Sequence, residues 1–289
     1  MKTVLTTGAS SGIGRATAAE FLRREWTVYA TARDTDDVAD LADAGCETAE
    51  LDVTSDADVE RVVDRVTAEA GRIDCLVNSA GYAQYGPVED VPVDALHDQF
   101  DVNVYGPHRL TRAVLGRMRE RRTGTVVNVS SVQGRLSSVG AGAYAGSKHA
   151  LEAMSDALRR EVDEYGIEVV VVEPGPVRTR FGDRADAELD RLDRAEDRLD
   201  ALARGDDLDA HEAYEPVYGL IEDSSLLASG GDVGVHPSAV AEVIADAACT
   251  ADPDPRYAVG STARLLLVAR HLPDRWRDAA DGLVRWVVN

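Results

Sequence analysis

The sequence predicts an α/β fold in which a doubly wound parallel sheet lies between two helical layers, three layers (α/β/α) in all. Three observations predict it. Short β-branched runs alternate with longer stretches of helical spacing through the first half of the chain, the pattern of parallel βαβ units. Several of these runs are apolar almost throughout, as strands buried on both faces of a sheet must be. The first run leads directly into a glycine-bearing turn and then a helix, "VLTTGASSGIGRA". A length of 289 residues suits one such domain, 1–289, with an added segment.

The elements follow in order. "KTVLTT" (2–7), "TVYATA" (27–32), "ETAEL" (47–51), "CLVNSA" (75–80), "TVVNVSS" (125–131), "IEVVVVEP" (167–174) and, near the end, "RYAVG" (256–260) read as strands. Between them 12–25, 36–44, 55–71, 93–120 and 142–165 carry helical spacing. After "VRTRFGDR" the alternation breaks. At 184–204, Leu189, Leu192, Leu199 and Leu202 mark one apolar face on a charged helix. The acidic, Gly- and Ser-rich stretch 205–234 predicts short helices in a long excursion, so 183–234 is expected to form a helical lid over a substrate. Helical spacing resumes at 236–248, with Pro237 and Ser238 in starting positions. The tail, 261–289, reads as an amphipathic extension split by Pro273, suited to docking on the core or a partner subunit.

Composition narrows the function. With 52 acidic against 31 basic residues the formal charge is -21, which disfavours nucleic acid and anionic membranes as partners. Only two of the basic residues are lysine, Lys2 and Lys148. Acid excess with so little lysine suggests a surface adapted to high salt, where screening relieves self-repulsion. Cys46, Cys75 and Cys249 have no pairing or ligand spacing, which fits a reducing compartment. The start lacks the pattern of a secretory leader, and "LLLVA" (265–269) is far too short to span a bilayer. A cytoplasmic protein is expected. His97, His108, His149, His211, His236 and His271 are scattered, so no metal site is expected.

Chemistry concentrates in a few places. Gly8, Gly12 and Gly14 stand between a strand and a helix, where glycine lets the backbone turn tightly against a pyrophosphate and the helix N-terminus supplies free N–H groups. Tyr144 and Lys148 are four apart, so they share a helix face, and a cation beside a phenol favours phenolate. A phenol so assisted can give or take the proton that accompanies hydride transfer at a carbonyl. Cofactor choice is read about twenty residues after the glycines, where NAD enzymes place an acid on the ribose. Here Ala32 holds that position and Arg33 follows, favouring the 2′-phosphate of NADP over NAD. Asp34 would reverse that preference if it turned towards the ribose.

These motifs together resemble the short-chain dehydrogenase/reductase family, especially its steroid- and retinol-type members. The spacing TGxxxGxG is joined, in the family's order, by Asp52-Val53, "NSAG" (78–81), Asn103 in "DVNVYG", "VSS" (129–131), the YxxxK of Tyr144 and Lys148, and "PGPVRT" (174–179). The resemblance covers about 1–180 and implies a Rossmann-like fold and an NAD(P)-dependent enzyme acting on CH–OH groups. It implies that Gly8, Ser10, Ser11, Gly12, Ile13, Gly14, Arg33, Asp52, Val53, Asn78, Ala80, Gly81, Tyr144, Lys148, Pro174, Gly175, Val177 and Thr179 bind the cofactor. Ser130, Ser131, Ser137 and Ser138 all lie near enough to serve the site; the family's spacing of thirteen residues before the tyrosine selects Ser131. Lys148 is expected to hold the nicotinamide ribose, and Asn103 to order a helix kink and a relay water. A homo-dimer or homo-tetramer through 93–120 and 142–165 is likewise implied. The expected substrate is a bulky apolar ketone, aldehyde or alcohol; ketoacyl or sugar-ketone reduction, and a silent nucleotide-sensing regulator, are the alternatives.

Overall fold

The computed structural model describes residues 1–179, 181, 214–221 and 234–278. The predicted helix at 184–204, most of the lid segment and the end of the tail lie outside the described residues. Seven strands form one parallel sheet: β1 (Thr3–Thr6), β2 (Thr27–Ala32), β3 (Glu47–Glu50), β4 (Cys75–Asn78), β5 (Gly124–Val129), β6 (Ile167–Pro174) and β7 (Arg256–Val259). Their order across the sheet is β3-β2-β1-β4-β5-β6-β7. Every run read as a strand forms one. The chain therefore winds outwards in one direction from β1 and in the other from β4, and the crevice between their C-terminal ends is where such sheets bind ligands.

Helices α1 (Gly12–Arg23), α2 (Ala39–Asp43), α3 (Asp56–Ala70), α4 (Val93–Phe100), α5 (Gly106–Arg121), α6 (Gly142–Val162), α7 (Pro237–Cys249) and α8 (Ser261–Ala269) cover the two faces. Alternation along the strands divides the core. Val4, Val28, Val77, Val127 and Val170 pack with Phe21 of α1 and Val240 and Ile244 of α7. Their neighbours Leu5, Tyr29, Leu76, Val126 and Val169 pack on the other face, against Val59, Val62 and Val66 of α3 and Leu110, Val114 and Met118 of α5. Period-two geometry sends successive side chains to opposite sides, and each fully buried aliphatic contributes about 1.5–3 kcal/mol.

Local signals fix the ends. Ser55 caps α3 by accepting from the Asp58 N–H at 3.2 Å, and Gly71 ends that helix at φ 77°. Pro237 opens α7, with the His236 ring accepting from the Ser238 N–H.

Three helical expectations need correction. The stretch 36–44 is a 3-10 turn at Asp36–Val38 followed by the short α2. The stretch 142–165 is α6 followed by a 3-10 turn at Asp163–Tyr165. The single helix expected at 93–120 is α4 and α5 joined by a π-helical turn, Asp101–Tyr105. Widening the helix by one residue there turns Asn103 inward, where it is fully buried. No helix among the described residues is long and apolar enough to cross a membrane.

Candidate active site

The strand-to-helix turn after β1 is built around its glycines. Gly8 has φ +67°, and a Cβ there would lie 2.8 Å from the Ala80 Cα. At Gly14 a Cβ would stand 2.3 Å from the Gly8 carbonyl oxygen, so α1 can approach the turn only without a side chain. Thr7 braces the neighbouring strand end: its hydroxyl accepts from the Ser79 and Ala80 N–H groups, both at 3.0 Å. The first turn of α1 carries no acidic residue and no side-chain cap. Its N–H groups face a cleft of about 750 Å³ that runs along the C-terminal ends of the strands.

That cleft gathers most of the predicted cofactor residues. Gly8, Ser10, Ser11, Gly12, Ile13, Gly14, Arg33, Asp52, Val53, Ala80, Gly81, Tyr144, Lys148, Pro174, Gly175, Val177 and Thr179 all line it. Asn78 does not. Its side chain is buried below the cleft, donating to Asn128 Oδ1 at 2.8 Å, and Asn128 in turn donates to Ser155 Oγ at 2.9 Å. Last in β4, it alternates away from the ligand side and ties β4 to β5 and α6; its neighbour Ser79 lines the cleft instead. At the end of β2, Ala32 and Arg33 both face the cleft. Asp34 turns to accept from the Asp36 N–H at 2.9 Å, a local turn the residues Asp-Thr-Asp favour. Asp37, which sequence reasoning passed over, lines the cleft a few residues further on.

At the other end of the cleft, α6 presents Tyr144 and Lys148 on its buried face, each 6% exposed. Ser131, at the start of the turn after β5, is the hydroxyl neighbour of the Tyr144 phenol and accepts from the Gln133 N–H at 3.2 Å. Of the other serines, Ser130 also borders the cleft but is buried, its hydroxyl near Glu152, while Ser137 and Ser138 are exposed. Burial holds the phenol well above its ordinary range, Tyr85 adds to this, and the Ser131 hydroxyl opposes it. Burial pushes the Lys148 ammonium down to about 8, with the Glu152 carboxylate opposing.

The expected direct help from Lys148 to the phenolate is not in place. Its Nζ donates to the Val129 carbonyl at 2.9 Å and stands 5.8 Å from the centre of the Tyr144 ring. A carbonyl at the end of β5 competes with the phenolic oxygen for the ammonium, and helical spacing alone cannot show it.

Asn103 lies behind this pair. It accepts from the Tyr82 N–H at 3.2 Å and donates to the Tyr82 carbonyl at 2.9 Å and to Ser147 Oγ at 3.1 Å. It thus ties the π-helical turn to the loop after β4 and to α6. Around Tyr144 the walls are aromatic: Tyr85 meets it edge-on at 6.2 Å between ring centres, and Phe181 lies at 5.8 Å. Part of the segment expected to form a lid is described here. The helical stretch 214–221 packs Tyr218 and Ile221 against Tyr85, and the Tyr218 hydroxyl donates to Asp90 Oδ2 at 2.9 Å.

Fold, glycine turn and paired Tyr144 and Lys148 define a dinucleotide-dependent oxidoreductase. The short chain dehydrogenase family model matches residues 2–190, and the chain belongs to that family. It is 43% identical over 185 residues to the uncharacterized oxidoreductase YbbO of Escherichia coli, a match covering 63% of this chain and 68% of that one. It is 37% identical over 194 residues to an NADPH-dependent 3-dehydrocapnine reductase of Ornithobacterium rhinotracheale, covering 64% and 69%. Bovine (Bos taurus) retinol dehydrogenase 8 is 38% identical over 190 residues, covering 62% and 60%. Among solved structures, a short-chain dehydrogenase from Streptomyces avermitilis superposes with a TM-score of 0.76 at 35% identity, over 99% of this chain and 95% of that one.

Proposed function

We propose that the chain is an NADP-preferring reductase and dehydrogenase that interconverts a bulky apolar ketone or aldehyde with its alcohol. One observation carries this: a buried phenol, next to Ser131 and backed by the cation of Lys148, stands at the aromatic end of a cleft headed by a glycine turn and a helix N-terminus. The residues fit a dinucleotide. Gly8, Ser10, Ser11, Gly12, Ile13 and Gly14 would hold its pyrophosphate, Asp52 and Val53 its adenine side, and Arg33 a 2′-phosphate. Ala80, Gly81, Lys148, Pro174, Gly175, Val177 and Thr179 would hold the nicotinamide half. When bound, the nicotinamide supplies or accepts the hydride.

The chain's own residues manage the proton. Ser131 positions the substrate oxygen by hydrogen bonding and steadies its developing negative charge. Tyr144, neutral because it is buried, donates a proton to that oxygen in reduction and must be deprotonated for oxidation. Lys148 would hold the ribose of a bound cofactor, and its ammonium, shared between the Val129 carbonyl and the phenol, would favour the phenolate. Asn103 fixes the loop at Tyr82 that forms the floor beneath them. Tyr85 and Phe181 exclude water and suit a hydrocarbon skeleton better than a sugar. The related NADPH-dependent reductase and retinol dehydrogenase support the cofactor and substrate class. The exposed Arg33 and the engagement of Asp34 elsewhere support NADP as well.

The segment 183–234 acts as the lid, and the acidic surface with its free cysteines suits a reducing, salt-rich cytoplasm. A coupled absorbance screen of carbonyls and alcohols with both cofactors, at low and high salt, tests the reading. Turnover of apolar ketones with NADPH is expected; cofactor binding without turnover of any substrate would overturn it.

A further inference from the structure

The buried face of α6 does not stop at Tyr144 and Lys148. One turn further on is Glu152, 4% exposed, and a turn beyond that Asp156. Residues four apart on a helix are neighbours, so Glu152 lies directly behind the lysine. We propose that Glu152 is a positioning residue for the Tyr144 and Lys148 pair: its buried carboxylate, clamped by Arg256, keeps the lysine an ammonium while the site works. This rests on the catalytic reading above.

Every charged group around Glu152 bears on the argument. Arg256, on β7, donates from Nε to Glu152 Oε2 at 3.1 Å and pairs with Asp156 at 2.7 Å. The same Nε is 3.4 Å from Glu173 of β6, whose carboxylate also receives Arg135 at 2.9 Å. On α6 itself, Lys148 lies on the inner side. Asp156 also pairs with Arg159 of α6 at 3.4 Å, so the cluster sets three carboxylates against three guanidiniums and the ammonium. Removing the Glu152 charge would leave Lys148 facing an arginine-rich group and make its ammonium harder to keep.

Glu152 is not needed to satisfy its neighbours. Arg256 already has Asp156, and Glu173 already has Arg135. A buried carboxylate is costly to desolvate, and an apolar side chain in its place is often neutral for stability. One of its oxygens is not used by the clamp: Oε1 lacks an aligned donor, and the buried Ser130 hydroxyl, likewise unaligned, stands beside it. A Cβ at Gly134 would strike both, at 2.6 Å from Ser130 Oγ and 2.9 Å from Glu152 Cγ, so glycine there makes room for the contact. Ser130 follows Val129, whose carbonyl holds the lysine. Burial and Glu173 raise the Glu152 carboxyl, while Ser130 and Arg256 lower it. It therefore ionises later than an ordinary carboxylate and its support for Lys148 grows as pH rises.

The test is the rate–pH profile of carbonyl reduction for wild type, Glu152→Gln, Glu152→Asp and Arg256→Gln, with NADPH affinity by fluorescence and thermal melts alongside. Loss of the lysine proton sets the alkaline limb. Glu152→Gln should match wild type within about twofold on the acid side, and its alkaline limb should move about one pH unit lower, a tenfold loss there. Glu152→Asp, which keeps the charge, should hold the limb near its wild-type position even if kcat drops. Arg256→Gln, at the sheet edge, should shift the limb the same way by less and decides the matter if Glu152→Gln does not fold. Alkaline limbs unmoved in the folded variants, or a uniform loss at all pH values, would overturn the inference and leave the catalytic reading standing. A wild-type protein that turns over no carbonyl would overturn that reading instead.

Discussion

Lys148→Arg keeps a positive charge and should still cripple the enzyme. The lysine head is enclosed, 6% exposed, with one hydrogen bond of 2.9 Å to the Val129 carbonyl. Gly81 and Asn103 lie close by, within a wall built around an ammonium. A planar guanidinium must displace its neighbours, which costs about 1–3 kcal/mol in a packed interior. Its donors also point along a fixed fork, whereas an ammonium can turn between a carbonyl, a phenol and ribose hydroxyls. Misplacing that charge forfeits much of the ~10²–10⁴-fold a positioned acid–base group contributes. We expect kcat to fall by at least ~30-fold, about 2 kcal/mol in the barrier. The assay is steady-state kcat from nicotinamide absorbance with a confirmed substrate, with a melt to show that the variant is folded. Wild-type kcat in a folded Lys148→Arg would refute the reasoning.

Three further outcomes are expected. Ala32→Asp with Arg33→Ala replaces a cation by an acid at the rim; the ratio of kcat/KM with NADP to that with NAD should fall by about 10–150-fold, the worth of a charged hydrogen bond, and an unchanged ratio would count against Arg33. Gly14→Ala drives a methyl into the Gly8 carbonyl and should weaken cofactor binding by at least about tenfold, measured by fluorescence titration; unaltered affinity would mean that the turn does not seat the pyrophosphate. Raising salt from about 0.1 to 2 M should raise Tm by screening the net charge of -21, and a fall would show that the surface ion pairs matter more than repulsion.

The fold was legible because burial on both faces writes strands as valine-rich runs, and because glycine marks the turn at Gly8, Gly12 and Gly14. The tyrosine and lysine could be picked out by helical spacing and Ser131 only through the family resemblance, and the structure brings all three to one end of the cleft. Other features depend on contacts no spacing records. The π-helical turn has no residue signature, since one extra backbone residue is all that sets it apart. Asn78 misleads because the last residue of a strand can face either side. Tyr85 and Phe181 reach Tyr144 from loops about a hundred residues apart. Glu152 was written in plain sight at the fourth residue after Lys148, but its burial and its arginine from β7 are tertiary facts.

The central claim is that Tyr144 carries the proton, and Tyr144→Phe isolates it. Phenylalanine keeps the ring against Tyr85 and Phe181 and removes the hydroxyl alone. The decisive measurement is kcat for carbonyl reduction beside the dissociation constant for NADPH in wild type and variant. The account predicts a loss of ~10²–10⁴-fold in kcat with cofactor affinity held within about twofold; a variant that turns over at a rate near wild type would contradict it.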